Sequence, residues 1–212
     1  GVKPYKANLL EFKDRLVAEL EQKFNENVEV NILADLLEIK DLKWKDAIEC
    51  YMNSQMFYLI IEPKYYIEAS NIYRRIAKDG KYYGLGIVDI ENIEKINPRK
   101  EQHSLAEEIE TENKYAQIYI NYLLGRVIKC DNTEELRKYK TAITSDCMLY
   151  KNFVLRKIGD KNSEFKFIGK KSIQEQIKLK EEKIAENDKK IEAMKNIMAV
   201  TKELKNAETF SD

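Results

Sequence analysis

The chain has 212 residues, of which 43% are hydrophobic and 35% charged. That length suffices to bury a sizeable core, and the charge content lies well above the globular norm. Lys+Arg and Asp+Glu both number 37, which excludes a uniformly basic nucleic-acid binder but leaves room for a local basic patch. With only 7 Gly and 3 Pro, collagen-like and generally disordered readings are out. No run approaches the ~20 apolar residues that span a bilayer, so no membrane association is expected. Gly1-Val2-Lys3-Pro4 offers neither an initiator Met nor the apolar segment of a signal peptide, and the sequence reads as a fragment of a longer protein. Cys50, Cys130 and Cys147 are widely spaced and form no CxxC pair, so no disulfide framework or zinc site is expected and a reducing cytoplasm fits. His103 is the single histidine, which excludes a two-His metal site.

In chain order, Ala7 to Asn25 is predicted as a helix, with Leu9, Phe12, Leu16 and Leu20 at spacings of three and four. Val28 to Val30 is a short strand, and Ile32 to Leu37 a helical turn. Lys43 to Asn53 is a helix with Trp44, Ala47, Ile48 and Tyr51 on one face. Phe57 to Ile61 is a continuous apolar run ended by Pro63, as in a strand buried on both faces. Tyr65 to Ala77 is helical, and Tyr83 to Asp89 is a second buried strand. Glu91 to Asn113 is a polar, acidic connector. Then come a helix at Tyr115 to Leu124, a strand at Arg126 to Cys130, a short helix at Thr133 to Tyr139, and strands at Thr141 to Thr144 and Met148 to Val154. Both halves place an apolar helix just before a hydrophobic strand, which points to two similar subdomains. From Ser172 to about Asn206 there is no Gly or Pro, and Ile177, Ile184, Ile191 and Met198 recur every seven residues. That is half a coiled-coil seam. Its best partner is the first helix, with Leu16, Leu20 and Phe24 facing Ile173, Ile177 and Ile184, so that both chain ends leave on the same side.

These pieces, in this order, resemble the hinge domain of SMC (structural maintenance of chromosomes) proteins. In the first half the resemblance rests on Leu37-Glu38-Ile39, on Ala47-Ile48-Glu49 in their helix, on the turn at Tyr51-Met52-Asn53, and on the run Phe57 to Ile61. Met52 stands where the family has Gly at that turn; Asn53 is kept. In the second half it rests on Leu124-Gly125 leading into Arg126 to Cys130, on Glu134-Glu135-Leu136, and on Thr144-Ser145-Asp146-Cys147. The last resembles a Val-Thr-x-Asp-Gly turn whose Gly is Cys147 here. The resemblance covers about Leu36 to Gly169. The glycine-rich patch that follows this turn in typical hinges is reduced to Gly159 and Gly169.

The resemblance implies an α/β (mixed α+β) fold: an N-terminal coiled-coil helix over residues 1–27, a hinge over 28–171, and a C-terminal coiled-coil helix over 172–212. The hinge subdomains would span about 28–95 and 114–171. It further implies the hinge of a divergent bacterial, condensin-like ATPase of chromosome segregation, condensation or plasmid defence. The ATP-binding heads would lie outside this fragment, which itself would carry no cofactor and no catalytic residue. The partners implied are a second hinge, as a homodimer, and DNA without sequence preference, in a nucleoid-associated, cytoplasmic setting. Phe153, Val154 and Leu155 are the dimer-interface candidates.

The residues themselves offer little chemistry. Gly84-Leu85-Gly86 lacks the third Gly and following helix of a dinucleotide fingerprint, and Gly169-Lys170-Lys171-Ser172 lacks the earlier Gly of a phosphate loop. His103 sits in a polar connector as a solvated side chain. Thr144 with Asp146 reads as a turn in which the carboxylate caps backbone N–H groups. Basic residues are more telling. Lys151, Arg156, Lys157, Lys161, Lys166, Lys170 and Lys171 cluster with only Asp160 and Glu164 among them, interleaved with Phe153, Phe165 and Phe167. Such a segment suits phosphate contacts with base stacking; equally, the aromatics are strand core and the lysines a solvated face. Arg74, Arg75 and Lys78 form a smaller group. The alternative to the hinge reading is a non-catalytic DNA-binding α/β domain whose terminal helices pack locally.

Overall fold

The computed structural model describes residues 5–159, 167–169, 181–182 and 184–198. Its first helix, α1 (Ala7–Phe24), buries Leu9, Phe12, Leu16 and Leu20, and ends where Asn25 turns left-handed at φ 52°. That apolar face packs on α3 (Tyr66–Ile76) and on strand β1 (Val30–Ile32). The Phe12 ring lies 4.7 Å from Tyr73 and 5.4 Å from Tyr82, and Phe24 meets Tyr65 edge-on at 5.0 Å. Ion pairs of Glu19 with Arg75 and of Glu11 with Lys81 flank the same seam. Burying each such Leu or Phe is worth about 1.5–3 kcal/mol. Of the residues expected to meet the C-terminal helix, Leu16 and Leu20 lie in the body's own core, and Ile173 and Ile177 lie outside the described residues.

Four short strands build the first half. β1 pairs antiparallel with β3 (Leu59–Ile61), Val30 opposite Ile61. β2 (Glu38–Ile39) pairs antiparallel with β4 (Ile109–Glu110). Helix α2 (Lys45–Met52) carries Ala47, Ile48, Glu49 and Met52 into the interior. The strand expected over Tyr83 to Asp89 shrinks to one parallel bridge between Ile87 and Leu59. Two hydrogen bonds hold it, Leu59 N–H to the Gly86 carbonyl at 2.8 Å and Val88 N–H to the Leu59 carbonyl at 3.0 Å. Ahead of it Gly80 and Gly84 adopt φ 69° and 80°, which bends the chain into a turn and leaves Tyr83 exposed.

The expected connector is ordered. It opens with α4 (Ile90–Lys95), whose first turn is capped by Asp89 accepting from Asn92 N–H at 3.2 Å. It continues through buried Leu105 and Ala106 into β4. The second half starts with α5 (Lys114–Leu124), capped by Asn113, which accepts from Tyr115 and Ala116 N–H at 3.0 Å each. Strand β5 (Ile128–Cys130), helix α6 (Thr133–Leu136) and strands β6 (Thr141–Thr144), β7 (Met148–Lys151) and β8 (Val154–Lys157) follow. They form a four-stranded sheet in the order β5-β6-β7-β8. β5 and β6 are parallel and the other pairs antiparallel. The single strand expected over Met148 to Val154 is instead a hairpin. Asn152 and Phe153 both take positive φ, 52° and 64°, the signature of a two-residue type I′ turn.

The sequence-level rhythm is visible in space. In the first half α2, β3 and α3 lead to the parallel bridge at Ile87; in the second α5, β5 and α6 lead to parallel β6. The halves are not separate cores: one apolar cluster runs from Leu9 and Phe12 through Ile48, Leu59 and Ile120 to Ile143 and Leu149. A satellite of Ile128, Cys130, Leu136 and Ala142 lies on the other side of the sheet. The chain divides into this body, Gly1–Ser172, and a second unit, Ile173–Asp212. In the second unit, residues 184–198 are helical and the seam residues Ile184, Ile191 and Met198 are exposed.

Candidate dimer and nucleic-acid interface

Strand β8 is an edge of the four-stranded sheet, and all four of its residues are exposed. The hairpin tip, Phe153, is 92% exposed, with Val154 and Leu155 at 56% and 49%. Register explains how. Lys151 pairs with Val154, Tyr150 with Leu155, Leu149 with Arg156, and Met148 with Lys157. Residues directly opposite share a face. Val154 and Arg156 thus extend the face of buried Leu149, while Leu155 and Lys157 extend the face where Tyr150 and Met148 pack on the satellite cluster. Because Lys151 and Val154 close a two-residue turn, the backbone groups of Leu155 and Lys157 point away from β7, toward the open edge.

Of the basic candidates, Lys151, Arg156 and Lys157 fall on this hairpin. Lys151 Nζ donates to the Tyr51 hydroxyl at 3.2 Å, whereas Arg156 and Lys157 lie exposed on the edge strand. Lys161, Lys166, Lys170 and Lys171, with Phe165, lie outside the described residues. The interleaved aromatics separate: Phe153 is at the tip, but Phe167 stacks on Tyr5 at 5.6 Å and meets Phe57 edge-on at 4.8 Å. The second basic group also separates, since Arg75 is paired with Glu19.

The family-motif positions are structural. Ala47, Ile48, Glu49 and Leu124 are fully buried. Asn53 stands at φ 46° at the end of α2. A Cβ on Gly125 would lie 2.2 Å from the Asn121 carbonyl oxygen and 2.5 Å from that of Arg99, so close backbone approach is what requires glycine there. Thr144 Oγ1 donates to Asp146 Oδ1 at 2.5 Å and accepts from Met148 N–H at 3.1 Å. The threonine hydroxyl thus links the Asp146 carboxylate to a backbone N–H of that turn. Cys147 takes φ 71°, the left-handed position that glycine fills more easily.

Sequence reasoning missed three features. Glu49, fully buried, holds residues 167–168 by accepting two of their backbone N–H groups. Tyr5, stacked on Phe167, donates to Asp35 Oδ1 at 2.6 Å; burial first and then that carboxylate push its phenol far above the ordinary range. Residue 5 and residues 167–169 are therefore neighbours. A third feature, Lys129, is only 13% exposed and is paired with Glu107 at 3.6 Å and with Glu108, beside the Trp44 ring. Nothing in the local pattern of these segments signals such long-range contacts. Among the described residues no group of three or more His, Cys, Asp or Glu is arranged to hold a metal, and no described helix is long and apolar enough to cross a membrane.

Two half-domains share one core in the body, and within it Tyr5 lies against Phe167. Residues 28–140 match the family described as the SMC proteins Flexible Hinge Domain, and the chain belongs to that family. The Geobacillus stearothermophilus SMC hinge domain, solved as an asymmetric dimer, superposes with a TM-score of 0.54 at 14% identity, covering 89% of this chain and 77% of that one. The S. pombe Smc5/6 hinge domain gives 0.53 at 14% identity, covering 96% and 84%. The Pyrococcus furiosus Smc hinge domain with an extended coiled coil gives 0.51 at 18%, covering 86% and 67%. At these identities the likeness is one of fold. No curated protein matches the sequence.

Proposed function

We propose that this domain is a non-catalytic dimerisation hinge, joining two coiled-coil arms of an SMC-type ATPase whose heads lie elsewhere in the protein. The observation that carries the reading is the open β8 edge. Among the described residues no further strand pairs with it, and it is flanked by exposed Phe153, Val154 and Leu155. An edge of this kind is a template for strand addition by a second chain. Family membership supports the reading, as does the dimeric state of the Geobacillus hinge. The adjacency of Tyr5 and Phe167 supports arms leaving from one place.

The same hairpin gives the domain a weak, sequence-independent affinity for DNA through Arg156 and Lys157, with Phe153 available to stack on a base. On this reading the protein works as a homodimer on chromosomal or plasmid DNA. Sedimentation of the fragment tests the main reading: the expected species has twice the 25.0 kDa chain mass. A single monomeric boundary at all micromolar concentrations contradicts it.

A further inference from the structure

Cys50 lies on α2 in the first half of the hinge, and Cys147 lies in the β6–β7 turn of the second. Their sulfurs meet over Gly159. The position that a Cβ on Gly159 would occupy is 2.1 Å from Cys50 Sγ and 3.8 Å from Cys147 Sγ, and the Cys147 thiol is in hydrogen-bonding contact with Cys50. Glycine at 159 is therefore what makes room for two thiols at one point. The same segment is held to the turn by Ile158 N–H donating to the Cys147 carbonyl at 3.0 Å. Cys50 is half-buried and reachable; Cys147 is buried. The third cysteine, Cys130, sits apart on β5 in the satellite cluster.

We propose that Cys50 and Cys147 form a redox-modification site, in which a small-molecule disulfide oxidises the pair to an intramolecular disulfide that staples the two halves of the hinge together. The Cys50 sulfur, having lost its proton, attacks one sulfur of the oxidant, forming a mixed disulfide and expelling one thiolate. Cys147 then loses its proton and attacks the Cys50 sulfur, closing the Cys50–Cys147 bond and expelling the second thiolate. Two electrons pass to the oxidant, and the two protons end on the two released thiols. Contact with Cys50, then burial, then the Asp46 and Asp146 carboxylates hold the Cys147 thiol above its ordinary range. That keeps Cys147 protonated and leaves the first attack to Cys50; its nearness to Cys50 then supplies the resolving step.

The test uses the native chain and glutathione disulfide, followed by alkylation in denaturant and peptide mass mapping. The expected result is loss of two of the three alkylatable thiols, with Cys50 and Cys147 peptides joined within one chain and Cys130 alkylated. Dithiothreitol restores all three. Cys130→Ser is expected to keep the link and Cys50→Ser to abolish it. A mixed disulfide on Cys50 that never resolves, a link through Cys130, a link only between chains, or full alkylation of all three thiols after oxidation overturns the proposal. Because the readout is on the wild-type chain, misfolding of a variant does not obscure the answer.

Discussion

Glu49 and Ile168 are 119 residues apart in sequence, yet Glu49 Oε1 accepts the Ile168 N–H at 2.8 Å and, with the same oxygen, the Phe167 N–H at 3.0 Å. A fully buried carboxylate on α2 thus fixes the segment by which the chain leaves the body. Tyr5, where the chain comes in, stacks on Phe167. One acid and one ring pair together hold residues 167–168 to the body.

Replacing Glu49 with Ala is expected to leave the buried Ile168 N–H and the part-buried Phe167 N–H without their acceptor. Each orphaned group costs about 1–3 kcal/mol, so a loss on the order of 3 kcal/mol is expected in urea unfolding. Amide exchange at Phe167 and Ile168 should accelerate more than exchange in β3. Unchanged exchange at those two amides would show that Glu49 does not hold them.

Gly125→Ala is expected to be among the most damaging small substitutions, because the added methyl meets backbone carbonyl oxygens at 2.2 Å and 2.5 Å. A cost of about 1–3 kcal/mol or more is expected for such overpacking. At Gly84 a Cβ meets nothing within 4 Å, and only φ 80° opposes it. Gly84→Ala should therefore cost about 1 kcal/mol. Equal melting temperatures for the two variants would contradict the packing argument at Gly125.

Alkaline stability follows from Tyr5 and Tyr119. Burial comes first for both, aided at Tyr5 by Asp35 and at Tyr119 by Tyr58, and it raises each phenol above its ordinary 10.0. In the unfolded chain they ionise at about pH 10, while in the folded chain they stay neutral. Their contribution is complete below about pH 10 and is lost as pH climbs from there toward the folded values. Denaturation midpoints should hold steady from pH 7 to about 9 and fall above about 10. A Tyr119→Phe variant should show a shallower fall; an identical slope would exclude Tyr119 as a source.

What the sequence revealed depended on length and periodicity. The helices α1, α3 and α5 were legible because each repeats its apolar face over three turns or more, and β3 because Leu59-Ile60-Ile61 is apolar without interruption. Strands β2 and β4 were not, since two residues cannot display a period of two, and their pairing crosses the supposed connector. The hairpin turn was missed because Asn152-Phe153 lacks the glycine that usually marks positive φ. The interface candidates Phe153, Val154 and Leu155 were legible as apolar residues in a basic stretch, and their exposure at the tip and edge of a hairpin was not. The union of Cys50 with Cys147 and of Glu49 with Ile168 is purely tertiary, carried by elements about a hundred residues apart.

Leu155→Pro is expected to separate folding from dimerisation. Leu155 N–H faces away from β7, so proline there removes a donor from the open edge and leaves the β7–β8 ladder its bonds through Val154 and Arg156. The variant should keep its helical and sheet signature by circular dichroism and sediment as monomer. A dimer as tight as wild type would place the contact elsewhere on the domain.

The charge reading is sharpest on DNA. Net charge is zero, so binding has to come from a local patch rather than from the whole surface. Elsewhere positive charge is spent internally: Lys129 on Glu107 and Glu108, Arg75 on Glu19, Lys81 on Glu11. On the hairpin, Arg156 and Lys157 project from adjacent positions on opposite faces of an edge strand, and each is exposed. Each phosphate they neutralise on duplex DNA contributes about 0.9 to the slope of log K against log salt. Arg156→Ala with Lys157→Ala should therefore lower that slope by about 2 and weaken binding at low salt alike for unrelated sequences. Stability should scarcely change, because exposed charges contribute little to it. If the double variant binds with the wild-type slope, or if wild type shows no binding even at low salt, the hairpin is not a DNA surface and the β8 edge serves strand pairing alone.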